Sequence, residues 1–241
     1  VASATSVTSV NTVGYQTLSV KGAAFNMLSV NWDAVGGSSK NIQELFDTST
    51  LTGGIGSSVA DNLLVWDDAT SAYTVYFLYD SGGTYPSWDG KWVDKDVLYA
   101  DVDFANGDSL WLRTRGAGTS LTIDGQVPTE ASTDVTIYPG FNMIGSAFAA
   151  DLPLNFGIDV KGNGQGGIGA SVADNLLVWD NATSAYTTYF LYDSGGTYPS
   201  WDGRWVDGSV LWADSSIPMG GAAWYNSRGG ASFTWTEIKP Y

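Results

Sequence analysis

Two groups of residues in this chain have the types and spacing to do chemistry: an acidic cluster at 101–108, and aromatic side chains around an Asp-Gly pair at 85–92 and again at 198–205. The stretch Asp101-Val102-Asp103-Phe104-Ala105-Asn106-Gly107-Asp108 carries oxygen ligands before and after a Gly. Calcium needs several carboxylate or carbonyl oxygens on a tight bend, so Asp101, Asp103, Asn106 and Asp108 are candidate ligands. Their spacing does not fit the twelve-residue EF-hand loop, and the matching stretch from Asp214 lacks three of the four. A solvated turn is the favoured reading: no cofactor is expected, and calcium is the one the residues leave open.

In the aromatic stretches, Trp88, Trp92, Trp201 and Trp205 could stack on sugar rings while Asp89 or Asp202 bonds hydroxyls, as in a carbohydrate-binding module. Against this stands the ordinary role of Trp beside a turn, which is to pack on a sheet. Catalysis has less to work with. The chain has no His and no Cys, which removes Ser-His and Cys-His nucleophiles, His-ligated zinc and disulfides together. Carboxylate pairs for glycoside hydrolysis need no His, but Glu occurs only at Glu44, Glu130 and Glu237. No enzyme is expected. Asn181-Ala182-Thr183 forms a glycosylation sequon where the first half of the chain has Asp68-Ala69-Thr70.

The elements that must position these residues are read from an internal repeat. At an offset of 113, Ile55–Asp94 matches Ile168–Asp207 with four differences: Ser57/Ala170, Asp68/Asn181, Val75/Thr188 and Lys91/Arg204. The match weakens beyond, although Phe25-Asn26-Met27-Leu28 is answered by Phe141-Asn142-Met143-Ile144, and Trp111 and Arg115-Gly116 by Trp224 and Arg228-Gly229. Two domains follow, 14–127 and 128–241, preceded by an extended segment at 1–13. Leu63–Trp66 and Tyr73–Tyr79 are β-branched and aromatic runs flanking a turn-rich Asp67–Ala72, so 62–79 and 175–192 are predicted hairpins. Asp89-Gly90 between Trp88 and Trp92 predicts another tight hairpin. Only Ser39–Phe46 looks helical, for a turn or two. The fold class is all-β: two tandem homologous β-sandwich or barrel-like domains, antiparallel, with little helix.

Net charge is −15, and the Lys and Arg form no run. Nucleic acid and anionic membrane surfaces are therefore excluded as partners, and no apolar run is long enough for membrane insertion. The 11 Trp, 13 Tyr and 9 Phe rule out a disordered chain. An opening Val-Ala-Ser-Ala-Thr without Met suits a processed, exported product, so a secreted, extracellular or cell-surface location is expected. The order Phe-Asn-Met-Leu, Val-Trp-Asp-x-Ala-Thr-Ser-Ala-Tyr-Thr, Trp-Asp-Gly-x-Trp-Val-Asp and Arg-Gly covers most of both units. It resembles uncharacterised secreted β-rich duplicated-repeat surface proteins of environmental bacteria. The resemblance implies export and a surface role, and carries over no functional residues.

The near-identity of 55–94 and 168–207 includes turn positions such as Ser81, Thr84 and Ser87, which core packing does not dictate. One surface meeting the same partner twice would explain it, as would gene conversion. If the partner is another copy, a contact that does not close makes a filament. Residues 1–13 are too small and polar for a core yet compatible with a strand, so Val7, Val10 and Val13 are expected at a subunit interface formed by strand donation. The expected function is structural: a subunit of an extracellular self-assembling homopolymer, filament or sheath. The alternatives are a glycan-binding surface module and a calcium-stabilised adhesin.

Overall fold

The computed structural model describes residues 12–37 and 39–241. The first unit contains β1 (Val13–Val20), β2 (Phe25–Ser29), β3 (Ser39–Asn41), a 3-10 turn at Ile42–Glu44, β4 (Asn62–Asp67), β5 (Ala72–Tyr79), β6 (Lys91–Val93), β7 (Asp103–Ala105), β8 (Ser109–Arg113) and β9 (Thr119–Gln126). The second contains β10 (Ser132–Ile137), β11 (Gly140–Gly145), β12 (Leu152–Pro153), α1 (Leu154–Gly157), β13 (Asn175–Asp180), β14 (Ala185–Tyr192), β15 (Arg204–Val206), β16 (Ser216–Ile217), β17 (Ala222–Ser227) and β18 (Phe233–Ile238).

The chain is all-β and antiparallel, and its two units share one topology. Each has a five-stranded sheet, β2-β8-β4-β5-β6 or β11-β17-β13-β14-β15, a two-stranded ribbon, β1-β9 or β10-β18, and a small pair, β3-β7 or β12-β16. The predicted hairpins are β4-β5 and β13-β14, in the same register from Asn62↔Phe77 and Asn175↔Phe190. Their turns close because the Asp67 and Asp180 carboxylates accept the backbone N–H groups two residues on, at Ala69 and Ala182 (2.9 and 2.8 Å).

In each unit one face of the five-stranded sheet packs against the ribbon. The first core joins Leu28, Leu63, Leu78, Trp92 and Leu110 to Val20, Leu121 and Ile123, and the second joins Ile144, Leu176, Leu191, Trp205 and Tyr225 to Ile137 and Trp235. Both cores are tied by a buried carboxylate. Asp61 accepts from Thr52 N and Arg115 N, and Asp174 from Gln165 N, Arg228 N and the Tyr225 hydroxyl. A second device is shared although its residue is not. Gln43 in one unit and Asn155 in the other bond the backbone of Trp92 and Ala100, or Trp205 and Ala213, at 2.7–3.0 Å.

Three sequence expectations differ from the structure. The helix expected over Ser39–Phe46 is a strand followed by one 3-10 turn, because Lys40 pairs with Phe104 in the β3-β7 ladder and Asn41 caps the turn at Gln43 N (3.1 Å). The Asp-Gly pair does not close a two-residue hairpin; it ends the long loop 80–90 that joins β5 to β6. Val13, placed by sequence in the donated segment, opens β1 and pairs with Gln126 of the same chain. Val7 and Val10 lie outside the described residues. No helix among the described residues is long and apolar enough to cross a membrane.

Candidate functional site

The second faces of the two five-stranded sheets meet each other, and the near-identical hairpins form much of the contact. Met27, Trp111, Met143, Ala222 and Trp224 are buried there, with Leu64, Trp66, Leu177 and Trp179 packed around them. The arrangement is reciprocal: Trp66 meets Trp224 edge-on at 5.2 Å, and its repeat equivalent Trp179 meets Trp111 at 5.1 Å. This is the geometry of a two-fold self-complementary interface, here built inside one chain. Any residue in such a contact is used twice, which gives the identity of the two hairpins a physical basis.

The hairpin turns also cap exposed sheet edges. β2 and β11 each have a ladder partner on one side only. The outward N–H of Met27 donates to Asn181 Oδ1 (2.7 Å), whose amide donates back to Met27 O (3.2 Å). On the other side the Met143 N–H donates to Asp68 Oδ1 (2.9 Å). A side chain thus stands in for a neighbouring strand and blunts an edge open to mispairing. Asn181 of the sequon thus lies at the contact between the units, with one amide N–H engaged by Met27 O.

A second aromatic surface lies at loops 80–90 and 193–203. Asp89 accepts from Ser81 N and Oγ (2.7 Å each) and from Gly83 N (2.9 Å), and Asp202 repeats this with Ser194 and Gly196. These bonds hold both carboxyls below the usual carboxylate range, the Ser81 and Ser194 backbone bonds contributing most. Asp89 and Asp202 therefore shape their loops. Trp92 and Trp205 are 1% exposed in the two cores, which leaves no ring face for a sugar and removes them as stacking candidates. Trp88 and Trp201 are half-buried. Trp201, with Tyr192, Tyr198 and Val210, lines an open cleft of about 220 Å³.

The two loops differ in what surrounds them. Beside Trp201 stands Trp212 at 6.1 Å, covered by Arg204 at 5.2 Å and met by exposed Phe156 at 6.3 Å. The first unit has Tyr99, Lys91 and Glu44 at these places. Sequence reading missed this contrast because Phe156 lies outside the repeated segment.

The acidic cluster is divided by β7. Phe104 enters the core, so Asp101 and Asp103 turn outward and both accept from Asn41 Nδ2 (2.9 and 3.1 Å). Asn106 instead donates to Asp33, and Asp108 accepts from Ala105 N (2.8 Å). Among the described residues no three acidic side chains are grouped to hold a metal ion. The Asp108 carboxyl faces a polar cavity of about 140 Å³ that Asp68, Asp103 and Met143 also line.

The chain matches no protein-family model, and neither the curated proteins nor the solved structures contain a match to it.

Proposed function

We propose that the chain is the subunit of an extracellular homopolymer joined head to tail, with the segment before β1 of one copy adding as a strand to the C-terminal ribbon of the next. One observation carries this reading. In the first unit the outer edge of β9 is met by a third segment, where Asp33 and Gln126 exchange two backbone bonds of 2.9 Å. In the second unit β18 occupies the same place, and the matching segment meets it through side-chain bonds alone, Ser146 Oγ and Ala147 N donating to the buried Glu237 carboxylate. There β18 has no backbone ladder partner on that side among the described residues, and Ile238 at its end is 67% exposed. A strand edge without a ladder partner offers backbone bonds at about 0.5–1.5 kcal/mol net each, and several together suffice for a durable joint. The −15 charge opposes lateral clumping of the assembled chains.

Deleting residues 1–11 tests this. The truncated protein should keep its fold and scatter light as a particle of one chain's mass, while the full chain grows with concentration. Filaments from the truncated protein, or a full chain that stays monomeric at high concentration, would overturn the donated strand.

A second reading, a glycan-binding module, is favoured by the cleft at Trp201, where Tyr198 is 59% exposed. Under it, Trp88→Ala with Trp201→Ala abolishes retention on immobilised neutral polysaccharide without unfolding the protein. Unchanged retention, or none in the parent, rejects it.

A further inference from the structure

Within the repeated segment one of the four differences falls on the contact between the units: Asp68 stands where the other copy has Asn181. Both side chains cap an edge strand at equivalent Met residues. Asn181 satisfies both backbone groups of Met27, accepting from N–H and donating to C=O. Within one strand residue, N–H and C=O point to the same side, so the Met143 C=O faces Asp68 as the Met27 C=O faces Asn181. An ionised Asp68 can accept from Met143 N but has no proton to donate. It then sets a carboxylate oxygen against a carbonyl oxygen.

We propose that the contact between the two units is a pH-poised clasp: protonated Asp68 pairs with both backbone groups of Met143 as Asn181 pairs with Met27, and deprotonation loosens that one side. The surroundings act in the same direction. Asp67 on its own turn and Asp108 in the β7-β8 turn both act on it with negative charge, and Asp103 on β7, its carboxyl held by Asn41, lines the same cavity. No salt bridge among the described residues reaches it. Burial, opposed in part by the Met143 bond and reinforced by Asp108 and Asp67, pushes the Asp68 carboxyl up to about 6.

Because that value lies above the ordinary 3.8, protonation stabilises the folded contact. The contribution is complete below about pH 4 and is lost as pH rises through about 6. A shift of about two units corresponds to about a hundredfold in the folding equilibrium.

The test compares the full chain with Asp68→Asn by urea unfolding between pH 4.5 and 8. Asp33, Asp108 and Glu237 also have carboxyls raised by burial, and they remain in both proteins. The ratio of the two unfolding constants therefore reports Asp68 together with its coupling to Asp108, widening by up to about a hundredfold toward pH 8 in favour of Asp68→Asn. Parallel curves at all pH values would overturn the clasp. Should the variant fail to fold, ¹³C NMR titration of the Asp68 carboxyl in the unaltered protein decides: a midpoint near 6 supports the proposal, and one near 4 refutes it.

Discussion

Trp66 and Trp179 are the same residue of the two repeats, in the same hairpin, and each meets a Trp of the other unit edge-on. Sequence alone predicts equal costs for their loss. Removing either ring forfeits similar apolar burial, one edge-to-face Trp contact and one Tyr contact at 4.7 Å, together about 2 kcal/mol for a half-buried aromatic. The indole N–H groups break the symmetry. Trp66 Nε1 donates to Phe141 O at 3.0 Å, whereas Trp179 Nε1 is buried without a partner. Trp66→Ala therefore loses a further hydrogen bond of about 1 kcal/mol, while Trp179→Ala relieves an unsatisfied donor of about the same size. The expected costs are about 3 kcal/mol for Trp66→Ala and about 1 kcal/mol for Trp179→Ala. Urea midpoints at unchanged slope measure both. Equal shifts, or a larger one for Trp179→Ala, would refute the asymmetry and with it the described packing between the units.

Other substitutions probe the internal supports. Asp174→Asn should cost about 3 kcal/mol and Asp61→Asn less, because Asp174 holds the Tyr225 hydroxyl in addition to two backbone donors; thermal unfolding reads the order. Gln43→Ala leaves Trp92 N and Ala100 O without a partner, while Trp92 O keeps its bond from Ala100 N, and should lower stability by about 2 kcal/mol, as should Asn155→Ala in the other unit. Asp89→Ala should leave global stability little changed, yet raise amide exchange at Ser81 and Gly83 at least about tenfold. Exchange unchanged at those two amides would contradict the loop clamp.

The sequence carried the hairpins plainly, because β4-β5 and β13-β14 alternate turn-forming Asp and Ser with β-branched and aromatic runs whose meaning is local. It carried the duplication, and through that the shared topology. What it could not carry was which face of a strand each aromatic takes. Trp88 and Trp92 flank the same Asp-Gly pair, yet one closes a loop at the surface and the other enters the core from a three-residue strand. That outcome depends on the Asp89 clamp and on Gln43, which arrives from 49 residues away. The acidic cluster looked like one site because its residues are neighbours in the chain, and Phe104 divides it by turning inward. The capping role of position 68/181 left one trace, one of four differences between two stretches of forty residues, which in the sequence reads as a glycosylation sequon. Gln43 and Asn155 show the converse: one structural role filled by unlike residues, invisible to any alignment of the repeats.

The donated strand is tested most directly by introduced thiols, because the chain has no Cys of its own. A variant carrying both Val7→Cys and Ile238→Cys, assembled and treated with a short bis-maleimide, should give a ladder of covalent multimers on a denaturing gel. Each single variant should stop at dimers. If assembled double-Cys chains yield only monomers or an internally closed loop, the N-terminal segment does not reach the β18 edge of a neighbour, and the account of the polymer joint is wrong.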